Sequence, residues 1–330
     1  IYRSRSKMKR ELELLREKMR ETGVDACLIP TSDFHGSEYV GDYFKCREYI
    51  SGFTGSAGTL VVTLDEAGLW TDGRYFLQAA KQLEGSGIML RKERQPGVPA
   101  IEEYLKQTLK KGETLGFDGR CIMQDSAEKL ITQLNAQGVA VRTDIDLTGA
   151  VWKNRPELSA QPVWPLPVEY AGESSESKIK RVREFLVEKK ADYFLLTSLE
   201  DIAWLLNMRG NDVESTPVIL SYLLLGEKKL TWYVQEKCLS EKIKILLDMQ
   251  GIKAAPYAQI YEDVKKLPED ASIYYDKSAV NTALVSSLPE KVKKIEGVNP
   301  TFLFKAKKNP VEVENERNLS LIHISEPTRQ

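Results

Sequence analysis

Two tandem α/β domains, each a mixed β-sheet covered by helices, are what this sequence predicts, and three observations carry the prediction. The chain has 330 residues, 42% hydrophobic and 29% charged, ordinary for globular protein and long enough for two cores. Short apolar strand patterns alternate with helical periodicities, the arrangement that joins parallel neighbours by helical crossovers. The same succession of elements then runs twice, on either side of a proline-rich connector.

The first half opens with Met8, Leu12, Leu15 and Met19 at the 4-3-4 spacing of one helix face. Val24-Asp-Ala-Cys-Leu-Ile29 follows as a short buried strand, and Tyr49-Ile-Ser-Gly-Phe-Thr-Gly55 leads into a glycine turn. Thr59–Thr63 and Gly68–Trp70 form a strand pair joined by a short polar turn. A helix around Arg74–Leu83 comes next, then strand 88–90, helix 100–109, strand 115–118, helix 126–137 and strand 139–142.

The second half repeats this order. Ile179, Val182, Phe185 and Leu186 share a helical face, and Ala191-Asp-Tyr-Phe-Leu-Leu196 is the matching strand. Trp204-Leu-Leu-Asn-Met-Arg-Gly210 lies on the earlier aromatic-to-glycine segment, and Val218–Tyr222 with Leu230–Val234 forms the matching strand pair. Helix 239–249, strand 252–255, helix 260–266, strand 272–275 and helix 280–286 complete it. Between the halves, Arg155-Pro-Glu-Leu-Ser-Ala-Gln-Pro-Val-Trp-Pro-Leu-Pro167 carries four prolines in thirteen residues, which deny helix and favour an extended connector. The expected domains are therefore 8–154 and 173–304, with residues 155–172 as linker.

Both ends read as foreign to this plan. Ile1–Lys7 lacks an initiating methionine and reads as upstream read-through. Leu319-Ser-Leu-Ile-His-Ile-Ser-Glu-Pro-Thr-Arg329 matches, in all eleven residues, the conceptual translation of a transposase-type sequencing adapter, so 319–330 is expected to be an artefact tail.

With 47 basic against 48 acidic residues and a net charge of -1, no global field draws the chain to nucleic acid or an anionic membrane. No stretch approaches the roughly 18 consecutive apolar residues of a membrane span, and the basic N-terminus leads into an amphipathic helix instead of a secretion signal's apolar run. Cys27, Cys46, Cys121 and Cys238 share no CxxC spacing and read as reduced, buried thiols of a cytoplasmic protein.

Catalytic chemistry is sparse. Of the two histidines, His323 lies in the tail, so a metal site or a Ser-His-Asp triad would have to use His35, and no HExxH or CxxC accompanies it. His35 reads as a solvent-facing residue of the loop Asp33-Phe-His-Gly-Ser-Glu-Tyr39. Ser51-Gly-Phe-Thr-Gly-Ser-Ala-Gly58 precedes a strand and has no following GK[ST], so it is a tight turn and not a phosphate loop. Asp72-Gly-Arg74 is expected to form a local charge-assisted network opening a helix. Arg209-Gly-Asn-Asp212 follows an apolar helix in a glycine turn suited to pointing donors and a carboxylate into a cleft, and functional and structural readings of it both stay open.

The string Arg47-Glu-Tyr-Ile-Ser-Gly-Phe-Thr-Gly-Ser-Ala-Gly58 with Leu69-Trp-Thr-Asp-Gly-Arg-Tyr-Phe-Leu-Gln-Ala79 resembles the first domain of the long Xaa-Pro aminopeptidases. Ser198–Asp212 with Pro217–Tyr222 resembles their second domain, and Lys305–Asn318 the helix start of their third, so the resemblance spans about residues 8–318. It implies two creatinase N-terminal-like domains of a metallo-exopeptidase that releases the N-terminal residue from short peptides with proline second. It also implies a homodimer, with two divalent metal ions (Mn or Zn) held by carboxylates and one histidine in a pita-bread catalytic domain absent here. No catalytic residue or metal ligand falls on this chain, which by itself is expected to be inactive, its domains serving dimerisation and restriction of active-site access. By the same resemblance Arg209, Asn211 and Asp212 would face the catalytic domain, and His35, Glu38 and Tyr39 would lie near the active-site mouth or dimer contact. The rival reading is a stand-alone binding or regulatory module, since creatinase-like domains also occur in a histone-chaperone subunit.

Overall fold

The structure, a computed structural model, describes the backbone of residues 5–325 and the side chains of residues 9–320. Residues 1–4 of the expected read-through and 326–330 of the expected tail lie outside it, as does the side chain of Met8. The chain divides into two compact units: one of residues up to Ser159 with Asn281–Ser286, the other of Ala160–Val280 with the residues from Ser287 onward.

The first unit opens with α1 (Arg5–Thr22), which buries Leu12, Leu15 and Met19 and stops at Gly23, whose φ of +68° an L side chain resists. β1 (Ala26–Pro30), α2 (Cys46–Ser51), β2 (Thr59–Thr63), β3 (Ala67–Thr71), α3 (Phe76–Gln82) and β4 (Met89–Lys92) follow. α4 (Ile101–Thr108), β5 (Thr114–Gly116), α5 (Gln124–Ala136), β6 (Ala140–Arg142) and α6 (Leu147–Val151) complete the unit. The sheet order is β4-β3-β2-β1-β5-β6. β1 to β3 run antiparallel in sequence, while β4, β5 and β6 join by parallel pairings.

Strand period decides what each face buries. Cys27, Ile29, Leu60, Val62 and Leu69 point to one side, into a core with Leu15, Met19 and Ile50. Their neighbours Ala26, Leu28, Val61 and Trp70 point to the other, into a core with Leu105, Leu130 and Leu134. Helices therefore cover both faces.

The second unit begins with β7 (Trp164–Pro165), α7 (Val168–Ala171), α8 (Ser175–Lys189), β8 (Tyr193–Leu196), α9 (Leu199–Leu206) and β9 (Met208–Arg209). β10 (Ser221–Gly226), β11 (Leu230–Val234), α10 (Glu241–Met249), β12 (Ile252–Pro256), α11 (Ile260–Lys265) and β13 (Ser272–Tyr275) follow. α12 (Thr282–Ser287) falls, as far as Ser286, in the first unit, and the last elements of the second are β14 (Lys293–Glu296), α13 (Pro300–Ala306) and α14 (Pro310–Ser325). Its sheet order, β12-β11-β10-β8-β13-β14, reproduces the first strand for strand, including which pairs are parallel.

Strands β7, β9 and β14 were not expected from the sequence, and one expected strand is displaced. The segment read as strand 218–222 is β10 from Ser221 to Gly226, because Leu220 N–H is taken by the Asp212 carboxylate and Asp212 N–H by the Val218 carbonyl. The stretch from Val218 to Leu225, apolar but for Ser221, has no alternation to fix the strand's start.

Candidate functional site

In the second unit a cleft of about 420 Å³ opens beside the C-terminal end of α9, walled by α8, α9, α13 and α14. Its geometry begins with the end of α9, where the last carbonyls need donors. Asn207 terminates the helix in the left-handed region at φ +51°, and side chains then satisfy the carbonyls one by one. Arg209 Nη1 donates to Ala203 O at 2.7 Å and to Met208 O at 2.9 Å. Lys178 Nζ donates to Trp204 O at 2.9 Å and to Asn207 Oδ1 at 2.7 Å, and Ser175 Oγ donates to Leu205 O at 2.9 Å.

Lys178 is 1% exposed, and its ammonium also lies 4.4 Å from the Trp204 ring centre. Burial pulls its pKa down to about 8 and lowers that of Arg209 as well. Neither cation has a carboxylate ion-pair partner among the described residues, whereas Lys305 pairs with buried Asp201 at 3.0 Å and Arg181 with Glu173 at 2.6 Å. Trp204 buries its Nε1–H without an acceptor.

The far wall is set by the start of α14. Asn309-Pro-Val-Glu312 forms a capping box: Glu312 N–H donates to Asn309 Oδ1 at 2.9 Å and Asn309 N–H to Glu312 Oε2 at 2.9 Å, with Pro310 at the first helical position. Asn309 Nδ2 further donates to Ala171 O at 2.8 Å, which ties α14 to α7.

Of the sequence-predicted residues in this unit, Arg209 alone lines the cleft. Asn211 is exposed. Asp212 is buried and does not aim its carboxylate at the cleft, because Oδ1 accepts from Gln161 N–H at 2.8 Å and Oδ2 from Leu220 N–H at 2.9 Å. It fastens the connector and the start of β10. Sequence reasoning missed Lys178, Trp204, Lys305 and Lys308. A signal for Lys178 existed, since it sits four residues before Val182 and eight before Leu186, on the buried stripe of α8.

His35, Glu38 and Tyr39 belong to the first unit. The expectation of a solvent-facing histidine is corrected: His35 is 4% exposed, while Glu38 and Tyr39 are exposed. Buried Asp33 accepts from His35 N–H at 2.8 Å and Ser37 N–H at 2.9 Å, and Phe34 packs edge-on against Tyr43 and Phe44, which folds the loop inward. Nearby, Arg120 grips Asp118 through two hydrogen bonds of 2.9 and 2.8 Å, and Arg155 joins Asp146 at 2.6 Å while its Nε donates to Tyr43 O. Cys27, Cys46 and Cys121 surround a small cavity beside these charges. Burial pushes the Cys46 thiol up to about 12 and the other two upward, so none is poised as a nucleophile. No group of three or more His, Cys, Asp or Glu among the described residues is arranged to hold a metal ion, so the metal pair implied by the resemblance has no fit here.

Comparison with known proteins agrees with this architecture. Two family models, both described as the creatinase/prolidase N-terminal domain, match residues 11–156 and 154–312. Xaa-Pro aminopeptidase 1 of Dictyostelium discoideum is 36% identical over 94% of this chain and 50% of its own length, and aminopeptidase P2 of Arabidopsis thaliana is 37% identical over 80% and 38%. The crystal structure of X-prolyl aminopeptidase from Caenorhabditis elegans, described as a cytosolic enzyme with a di-nuclear active site, superposes with a TM-score of 0.89 at 31% identity. That superposition covers 94% of this chain and 53% of the nematode protein. The chain thus spans about half the length of the relatives it matches. With two matching domains in tandem and the same sheet order in each unit, the chain belongs to the creatinase/prolidase N-terminal domain family.

Proposed function

We propose that this chain is the non-catalytic N-terminal portion of an Xaa-Pro aminopeptidase, an exopeptidase that releases the first residue of short peptides with proline second. The observation that carries the reading is end-to-end likeness to proteins of that name over 94% of this chain but only half of theirs. The reaction's metal ions, manganese or zinc, would then belong to a third domain that opens at residues 305–318, with 319–330 foreign to it. The two units would serve homodimerisation and restrict access to the active site, the Arg209–Asp212 loop facing the third domain and the His35–Tyr39 loop near the active-site mouth or the dimer contact. A cytoplasmic location accords with the description of the nematode enzyme as cytosolic, and among the described residues no helix is long and apolar enough to cross a membrane.

The test is hydrolysis of an Xaa-Pro tripeptide with added Mn²⁺ by this chain and by a version extended to the relatives' full length. Turnover by the extended form alone is expected. Turnover by the 330-residue chain would overturn the reading. In the extended form, Arg209→Gln is expected to lower turnover, and unchanged turnover would remove the proposed placement of that loop.

A further inference from the structure

Helix α13 is anchored on one side and bare on the other. It packs on α8 and α9, with Thr301 fully buried, Phe304 against the core of the second unit and Lys305 paired with buried Asp201 at 3.0 Å. The Arg181 guanidinium lies 4.8 Å from the Phe304 ring centre. The chain entering the helix is equally fixed, since Tyr274 Oη donates to Val298 O at 2.9 Å and Asn299 N–H to Asp276 Oδ2 at 3.0 Å. At 100° per residue, Phe302, Leu303 and Ala306 fall on the opposite arc from Thr301 and Lys305, and all three are exposed. Val298 and Leu303 hold the two positions of a hydrophobic staple around the Asn299 cap, yet they stay 63% and 56% exposed, as Phe302 does at 56%. A helix face that meets water is normally polar, and while single apolar side chains on a surface need no explanation, three held rigidly on one element mark an interface.

We propose that Val298, Phe302 and Leu303 form the seat of the domain that follows α14 in the full-length protein, which covers them with apolar side chains of its own. The inference rests on the reading of this chain as the N-terminal portion of such a protein. Two observations choose this occupant over a second copy of the chain. The relatives run on for about as long again, this chain covering 50% of one and 53% of another, and α13 leads within four residues into α14, the last element. The start of α14 is itself tied to the same unit, by Asn309 Nδ2 to Ala171 O at 2.8 Å and Asn315 Nδ2 to Tyr170 O at 3.0 Å, so the continuing chain sets out from beside this face. Three side chains a little over half exposed offer roughly 300 Å², well short of the roughly 800 Å² per partner of a stable complex between separate molecules. A domain tethered at millimolar effective concentration needs far less.

Maleimide labelling of Phe302→Cys tests it, in the 330-residue chain and in the version extended to the relatives' full length. Met249→Cys, at a position 80% exposed on α10, is the reference. In the shorter chain both introduced thiols should label rapidly, ahead of the native ones. In the extended form the thiol at position 302 should react at least about tenfold more slowly, while that at position 249 keeps its rate. Phe302→Ser combined with Leu303→Ser, which needs no label, should leave the melting temperature of the shorter chain nearly unchanged and lower that of the extended form. Equal labelling of Phe302→Cys in the two forms, or equal slowing at both positions, overturns the proposal. Slow labelling in the shorter chain that speeds up on dilution puts a second copy on the face and overturns it as well. Tripeptide hydrolysis by the unsubstituted extended form separates this inference from the reading beneath it: turnover without protection at position 302 removes the seat alone, and protection without turnover removes the peptidase reading alone.

Discussion

Asp212 and Lys178 show how differently two buried charges of the same unit can be resolved. The Asp212 carboxylate accepts one backbone N–H on each oxygen, so its charge is fully used in holding the connector and β10. An asparagine would keep one acceptor and turn an N–H₂ against the other donor. Asp212→Asn is therefore expected to cost about 2–3 kcal/mol in urea unfolding, the penalty of one buried donor left unsatisfied beside another weakened. Lys178 has hydrogen bonds but no ion-pair partner among the described residues, and burial, outweighing the charges of Glu312 and Glu173, holds its pKa at about 8 against an ordinary 10.5. Its sign follows directly. Between those values the unfolded chain binds the extra proton, so this residue's contribution to stability rises as pH climbs from 8 to 10.5. Stability of wild type relative to Lys178→Met should increase over that window, by at most about 1.4 kcal/mol per pH unit. Taking the difference between the two proteins cancels the thiols and phenols common to both, and a flat difference would mean that the ammonium is solvated.

At the scale of elements, α7 and α14 meet through one glycine. Gly172 ends α7 at φ +71°, and a Cβ there would run into the Asn309 side chain that caps α14. Gly172→Ala thus faces a left-handed backbone penalty of about 1–2 kcal/mol plus the displacement of a cap worth about 1 kcal/mol. Because both substitutions strike the same cap, Asn309→Ala added to Gly172→Ala should cost clearly less than Asn309→Ala alone, a coupling a double-mutant cycle reads directly. Such contacts explain what the sequence withheld. Helices α1 and α8 were legible from Leu12, Leu15 and Met19 and from Ile179, Val182 and Leu186, because a helix face writes its burial into spacing. The start of β10 was not, since Val218–Leu225 is apolar on both sides of Ser221 and shows no alternation, and the choice is made by Asp212 from outside the strand. His35 was misjudged because a polar-looking loop is buried by Phe34, Tyr43 and Phe44, a tertiary contact with no periodic trace.

Across the whole molecule, the doubling of the sheet was readable because the two halves keep the same order of strand, helix and hairpin, and the central strands of the first alternate their burial between two cores. The cleft was not readable as a unit, since Lys178, Arg209 and Lys305 come from three elements far apart in sequence. The thiols, in contrast, were assigned from their apolar neighbours, and all four are free of disulfides, with Cys27 and Cys238 buried. Their burial has a consequence for the entire chain. Every one of the four is pushed upward from 9.0, Cys46 and Cys238 to about 12, chiefly by desolvation. A group whose folded pKa is raised supports the fold fully below its unfolded value and loses that support as pH rises toward the folded one, because the unfolded chain sheds its proton first. The urea midpoint should therefore fall as pH goes from 9 toward 12, against the smaller opposing rise from Lys178. Removing two thiols with Cys46→Ala and Cys238→Ala should flatten that fall, by up to about 1.4 kcal/mol per pH unit for each. At pH 8 the same burial leaves a thiolate fraction near one in ten thousand for a pKa of about 12, so a thiol-specific disulfide reagent should modify the native chain orders of magnitude more slowly than free cysteine. Fast modification of all four thiols without denaturant, together with an alkaline stability curve unchanged by the two substitutions, would show that neither core excludes water as the packing around Cys27 and Cys238 requires.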